Sequence, residues 1–289
     1  MHPARAPRPP RIPLPGGAAR VLAACCALIF AAVTWQVAAR GPLRSLDERI
    51  GRAARGRLLP GRLAEFFADL GNMAVALPVL GAALVYTGLR LRRAGVRWWP
   101  PPLAAAAAMA AVPLIVAPLK ALVDRPAPPG PLAGTEGFYP SGHTATATVA
   151  YGGAALLVLL CHGTERREDG GLREDGRHRE DARHHEAARR REDARHRDTR
   201  GPRRRVAVAV AAAVALLNLC VGTGLVLRGY HWPLDVIGGW CLSGVLLSGV
   251  LQTAATVVRN RLEPPHRVSR RTSAGRRPHA SPAPAPPDR

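Results

Sequence analysis

The chain has 289 residues, of which 47% are hydrophobic and 21% charged, and its formal net charge is +21. The apolar residues gather in long blocks nearly free of charge, and the charges gather between them, which excludes a soluble globule with a periodic core. The basic excess lies at the two ends and in one insert, and aromatic residues make up only 4%, so a folded face that reads nucleic acid is excluded as well.

In chain order, residues 1–20 are rich in Pro and Arg and are expected to be disordered. The first apolar block, 21–39, is close to the ~20 residues that cross a hydrocarbon core. A basic region precedes it, as in a signal peptide. Its apolar core is long for one, so it reads as the first span. Gly41 to Asp69 is polar and arginine-rich, with Leu46, Ile50 and Leu58 at helix-like intervals. It is expected to lie along the membrane surface. Further blocks at 70–91, 103–123, 143–162, 206–227 and 233–258 bring the spans to six. Pro78, Pro113 and Pro118 fall inside them, which membrane helices tolerate. The expected fold is all-α: a six-span transmembrane helical bundle over 21–262, with a basic, Pro-rich, disordered tail at 263–289.

A charged insert at 163–205 interrupts the bundle. It carries a hexapeptide repeat, REDGGL, REDGRH, REDARH, HEAARR, REDARH. A period of six fits neither a heptad nor a solenoid unit. His178, His184, His185 and His196 admit a metal reading, but a low-complexity cytoplasmic expansion is preferred, and no metal site is assigned. The cysteines (Cys25, Cys26, Cys161, Cys220, Cys241) are odd in number and lie in apolar blocks. They read as buried, inert thiols.

Arginine placement sets the orientation. With both termini cytoplasmic, segments 1–20, 92–102, 163–205 and the tail are inside, and all are arginine-rich. The loops at 124–142 and 228–232 then face outward. The loop at 40–69 breaks the rule with seven arginines. Trp98, Trp99 and Trp232 read as interfacial belt residues.

The polar residues at the outer ends of the spans form one set. Lys120, the only lysine, and Arg125 end the third span in KALVDRPAP. Ser141, Gly142 and His143 open the fourth in PSGH, and Arg228, His231 and Asp235 join the fifth to the sixth in LRGYHWPLD. Ionisable groups at membrane depth are costly and usually serve a site. Converging cations and two histidines suit an anion, and phosphate is the natural one. Cations and the N–H groups of a helix start neutralise phosphate oxygens. A neutral imidazole supplies a nucleophile, a carboxylate such as Asp235 fixes its tautomer, and a second histidine, His143, protonates the leaving oxygen. The plainer readings are a helix-capping His143, a snorkelling Lys120 and a structural i,i+4 pair of His231 with Asp235.

These residues resemble the type 2 phosphatidic acid phosphatase superfamily, integral-membrane lipid phosphatases related to vanadium haloperoxidases. Its pattern is a lysine, six residues and Arg-Pro; then Pro-Ser-Gly-His; then Ser-Arg, five residues, His, three residues and Asp. The resemblance covers roughly residues 70 to 255. It implies His231 as a nucleophile that becomes phosphohistidine, Asp235 as its orienting group and His143 as general acid. Lys120, Ser141 and Gly142 would hold the phosphate oxygens, without metal or other cofactor. Two departures stand out. Ala127-Pro128 replaces Arg-Pro, the nearest arginine being Arg125, and Gly224-Leu225 replaces Ser-Arg, the nearest arginine being Arg228. Both are taken as substitute phosphate-binding residues, Arg228 because a helical turn would bring it beside Leu225.

The implied function is hydrolysis of a lipid phosphate monoester or diphosphate at the outer face of the cell membrane. The candidate substrates are phosphatidate, phosphatidylglycerol phosphate or a polyprenyl diphosphate. The expected partners are the bilayer and that lipid, with no nucleic acid. A phosphotransferase is a variant of this reading. Its competitors are a catalytically impaired scaffold that binds lipid phosphates, motivated by the missing arginines, and a transporter, disfavoured because the charges sit at one membrane face.

Overall fold

The computed structural model describes residues 16–55, 59–95, 97–171 and 184–262. Every regular element among them is a helix: α1 (Gly16–Ala38), α2 (Pro42–Ala54), α3 (Gly61–Asp69), α4 (Met73–Arg93), α5 (Pro100–Val123), α6 (Gly142–Gly171), α7 (His184–Leu227) and α8 (Pro233–Leu262). Six carry a stretch long and apolar enough to cross a bilayer: Gly17–Ala38, Met73–Arg93, Pro100–Val123, Gly142–His162, Arg204–Leu227 and Pro233–Val257. At ~1.5 Å per residue each reaches across a core ~30 Å thick. The chain is therefore a six-span membrane bundle. Leu28, Leu114, Leu122 and Leu216, each more than 60% exposed, belong to its lipid-facing belt. The helices α6 and α7 continue into the repeat insert; His178 lies outside the described residues.

The central pair is α6 and α8, with α1 packed on α8, α4 on α6, α5 against both, and α7 against α6. Small residues allow the close approach. A Cβ on Gly239 of α8 would stand 2.8 Å from the Ser141 carbonyl oxygen and 3.0 Å from Thr144 Cβ. Glycine there lets the start of α6 lie directly on α8. Some polar side chains in the spans pair between helices. Thr148 Oγ1 donates to Asn218 Oδ1 at 2.6 Å, and Asn218 Nδ2 donates to the Val214 carbonyl at 2.9 Å.

The arginine-rich segment after α1 forms two short helices separated at Pro60. On α2, Leu43, Leu46 and Ile50 are exposed while Asp47 and Gly51 are buried. The polar side of α2 thus faces the protein and the apolar stripe faces out, as suits a helix at a membrane surface. Some of its arginines are held by the protein. Arg44 bonds Glu48 at 2.9 Å and the Val37 carbonyl at 3.1 Å, and Arg52 lies 3.7 Å from Glu48. These pairings account in part for a loop that breaks the charge rule.

The helix α3 packs on the end of α7. A Cβ on Gly224 would lie 2.6 Å from the Ala64 carbonyl oxygen and 2.7 Å from the Ala68 nitrogen. Both neighbours are backbone and cannot swing aside. Gly224→Ser is therefore expected to cost about 1–3 kcal/mol by overpacking, seen as a lower thermal midpoint in detergent. An unchanged midpoint would show that α3 yields freely.

Candidate active site

Three chain segments meet at one end of the bundle. The first is the end of α5 and its loop. Asp124 closes α5 in the left-handed region, at φ 46° and ψ 47°. The chain then runs through Arg125, whose carbonyl accepts from Phe138 N at 3.0 Å. Lys120 Nζ stands 5.9 Å from the centre of the Phe138 ring.

The second segment is the start of α6. Ser141 caps it: Oγ accepts from Thr144 N at 3.2 Å and from Thr144 Oγ1 at 2.9 Å. With both contacts accepted, the serine O–H is left to donate. Ser141 N is taken by the Asp235 carbonyl at 2.9 Å, which fixes the PSGH turn on α8. The first helical bond is Ala145 N to the Ser141 carbonyl, so the N–H groups of Gly142 and His143 precede the ladder, where anions are favoured. A Cβ on Gly142 would meet only Val116, at 3.8 Å. Packing within the protein therefore does not demand glycine there. Tyr139, fully buried, anchors this loop to α1 by a 2.8 Å bond to Thr34. Burial pushes its phenol up to about 12, so it stays protonated at neutral pH and serves as an anchor.

The third segment joins α7 to α8. Asp235 Oδ2 accepts from Trp232 N at 2.9 Å and lies 3.3 Å from His231 Nδ1. The carboxylate thus caps its own helix and holds the imidazole. His231 is 5% exposed, whereas His143 is open to solvent. The two rings stand 6.4 Å apart, and Phe138 meets His231 edge-on at 5.7 Å. Lys120, Ser141, His143, His231 and Asp235 are therefore brought to one end of the bundle, with the two histidine rings tilted 59° to each other.

Of the two displaced arginines, Arg125 is a correction. Arg125 is fully buried; Nη1 donates to Asp235 Oδ1 at 2.7 Å and Nη2 to Asp47 Oδ2 at 2.5 Å. Its guanidinium bridges two carboxylates instead of presenting its donors to an outside anion, because burial without a counter-charge would be prohibitive. Arg228 does lie a turn from Leu225, its N–H on the Gly224 carbonyl at 3.0 Å. Its Nε, however, is bound to Glu65, which also accepts from Tyr230 at 2.8 Å. The Tyr230 hydroxyl, and then Glu65, push the guanidinium pKa up. Leu225, at the place of the family's arginine, is 1% exposed in the apolar core. Of the three expected phosphate-binding cations, Lys120 alone makes no ion pair among the described residues. Trp232 is a second correction. It is 4% exposed and is no belt residue: Nε1 donates to the Pro126 carbonyl at 3.0 Å.

Asp47, Thr144 and Phe138 were not legible as site neighbours. Nothing in the pattern of α2 marks Asp47, 78 positions before Arg125 and 187 before Leu234. An apolar cavity of about 720 Å³, lined by Thr148, Leu156, Val214, Trp240 and Leu247 among others, is separate from the histidines. Thr148 lies about 140° round α6 from His143 at 3.6 residues per turn.

The comparisons agree with this architecture. No curated protein matches the chain. A solved structure, the first transmembrane PAP2 type phosphatidylglycerolphosphate phosphatase from Bacillus subtilis, matches with a TM-score of 0.54 at 17% identity, over 80% of this chain and 94% of that one. At that identity the likeness speaks for the fold. The sequence profile of the PAP2 superfamily matches residues 101–259, more than half of the 289. That stretch takes in Lys120, the PSGH turn and the His231–Asp235 pair, and the chain belongs to the PAP2 superfamily.

Proposed function

We propose that the protein is a membrane phosphatase that hydrolyses a lipid phosphate monoester or diphosphate through a phosphohistidine. The observation that carries this reading is His231 held by a buried carboxylate 3.3 Å away and facing His143 across 6.4 Å. With Nδ1–H donated to Asp235, His231 Nε2 attacks phosphorus. The bond from phosphorus to the leaving oxygen breaks, and His143 protonates that oxygen. His143 then takes a proton from water, the water oxygen attacks phosphorus, and the P–N bond breaks to release phosphate and neutral His231. Lys120, the Ser141 hydroxyl and the N–H groups of Gly142 and His143 neutralise the equatorial oxygens. No step needs a metal or another cofactor.

The site end of the bundle faces outward in this proposal, and both termini are cytoplasmic. Support comes from Arg92, Arg93, Arg97, Arg204 and Arg205, at the ends of their spans away from the site. The substrate class is phosphatidate, phosphatidylglycerol phosphate or a polyprenyl diphosphate. A second reading has its own support. With Arg125 and Arg228 committed to carboxylates and Leu225 in the core, an impaired member would bind lipid phosphates without turning them over.

The test is phosphate release by the purified protein in detergent with EDTA, on a panel of those three lipids. Release from at least one of them in EDTA is expected. Binding of a panel lipid without release above a protein-free blank would favour the second reading.

A further inference from the structure

The strongest feature that the family motifs leave unused is a buried charge bridge reaching from α2 to the proposed nucleophile. Asp47 is 3% exposed, and Arg125 and Asp235 are fully buried. Asp47 Oδ1 accepts from Leu234 N, in the first turn of α8, at 2.8 Å, and Oδ2 accepts from Arg125 Nη2 at 2.5 Å. Arg125 Nη1 reaches Asp235 Oδ1 at 2.7 Å, and Asp235 Oδ2 faces His231 Nδ1 at 3.3 Å. Around the bridge, Trp232 stacks under the Arg125 guanidinium at 5.4 Å, and Glu48 stands 3.9 Å from Nη2.

We propose that Asp47 is a positioning residue of the reaction, acting through Arg125 to set the Asp235 carboxylate against His231. The proposal rests on the reading of His231 as nucleophile. Guanidinium and carboxylate prefer a two-pronged fork. Here the fork is split, one prong to each aspartate. Asp47 occupies Nη2, so Arg125 takes only Oδ1 of Asp235 and leaves Oδ2 to Trp232 N and His231. Without the Asp47 charge, Nη2 is free to close on Asp235, and Oδ2 is drawn off a histidine contact that is already long. Asp47 lies outside the stretch matched by the family profile, 101–259. The surface helix α2 therefore supplies part of the machinery of the transmembrane site.

Asp47→Asn separates the two duties of this side chain, since an amide oxygen still caps Leu234 but the charge is gone. The full chain, labelled with ¹⁵N-histidine in detergent, gives a readout that a merely structural role would not move. The His231 signals are assigned by their loss in His231→Ala. In wild type His231 is expected as the Nδ1–H tautomer. In Asp47→Asn it shifts toward the Nε2–H form, and Asp47→Asn/Asp235→Asn matches Asp235→Asn alone. On an active panel lipid, kcat falls about 10–100-fold with KM unchanged. Should Asp47→Asn fail to fold, Arg125→Lys keeps the charge without the fork and is expected to move the same signals. His231 signals that stay at their wild-type positions in the folded variant would overturn the proposal, whatever the kinetics. The signals are readable with or without turnover, so loss of wild-type phosphate release would count against the proposed reaction and not against the bridge.

Discussion

His231→Ala is expected to remove phosphate release, lowering kcat by roughly 10⁴-fold or more, as loss of a covalent nucleophile does. The protein should still fold, because His231 contributes one 3.3 Å contact to Asp235 and an edge contact to Phe138, while Trp232 N and Arg125 still hold the carboxylate. Asp235→Asn is expected to cost less in rate and more in stability, since it weakens the bond to Arg125 as well. Rates on the preferred panel lipid, with thermal midpoints measured in parallel, separate the two effects. A His231→Ala protein with more than a tenth of the wild-type rate would show that another group attacks.

Arg125→Met is expected to destabilise the protein by about 3–5 kcal/mol, the cost of stranding buried charges. Arg125 is the shared counter-charge of Asp47 and Asp235, both buried, and its removal leaves two carboxylates without a cation between them. The thermal midpoint should drop by about 10 °C for a chain of this size. The deficit depends on pH. Burial already pushes the Asp47 carboxyl above its ordinary range, and Arg125 pulls it back. Without Arg125 the folded-state value rises further. A raised folded pKa means that the group's contribution is present at acid pH and lost as pH climbs through that value. The deficit is therefore largest at neutral pH and shrinks toward about pH 4, near the unfolded pKa of aspartate. The outcome also tests the correction made to Arg125. A phosphate-binding arginine would raise KM and leave the midpoint unmoved.

Much of the fold was legible because its signals are local. A run of about 20 apolar residues has one way to satisfy its backbone in lipid, so six such runs read directly as six helices. The PSGH turn and the HWPLD helix start were legible for the same reason: each is a contiguous stretch whose cap bonds are made within a few residues. What was missed is long-range. Placing Arg125 near phosphate followed from its position in the KALVDRP stretch, but its partners come from α2 and α8, 78 and 110 positions away. Arg228 lies where a helical turn would put it, yet Glu65 of α3, 163 positions away, captures it. Trp232 read as a belt residue because a loop tryptophan beside a span usually is one. The chain instead folds α2 over it, with Gly51 so close that an added Cβ would stand 2.7 Å from the ring. Arg125, Arg228 and Trp232 all meet the arginine-rich segment 41–69, through Asp47, Glu65 and Gly51, although its composition says only membrane surface.

The measurement that tests the central claim most directly is trapping of the phosphoenzyme. Wild type and His231→Ala are mixed with a panel lipid labelled in its phosphate, quenched during turnover and probed for label on the protein. Wild type is predicted to carry an acid-labile, alkali-stable label, the behaviour of phosphohistidine, and His231→Ala to carry none. Turnover by wild type with no trapped label, or label of equal amount on His231→Ala, would contradict a mechanism through His231.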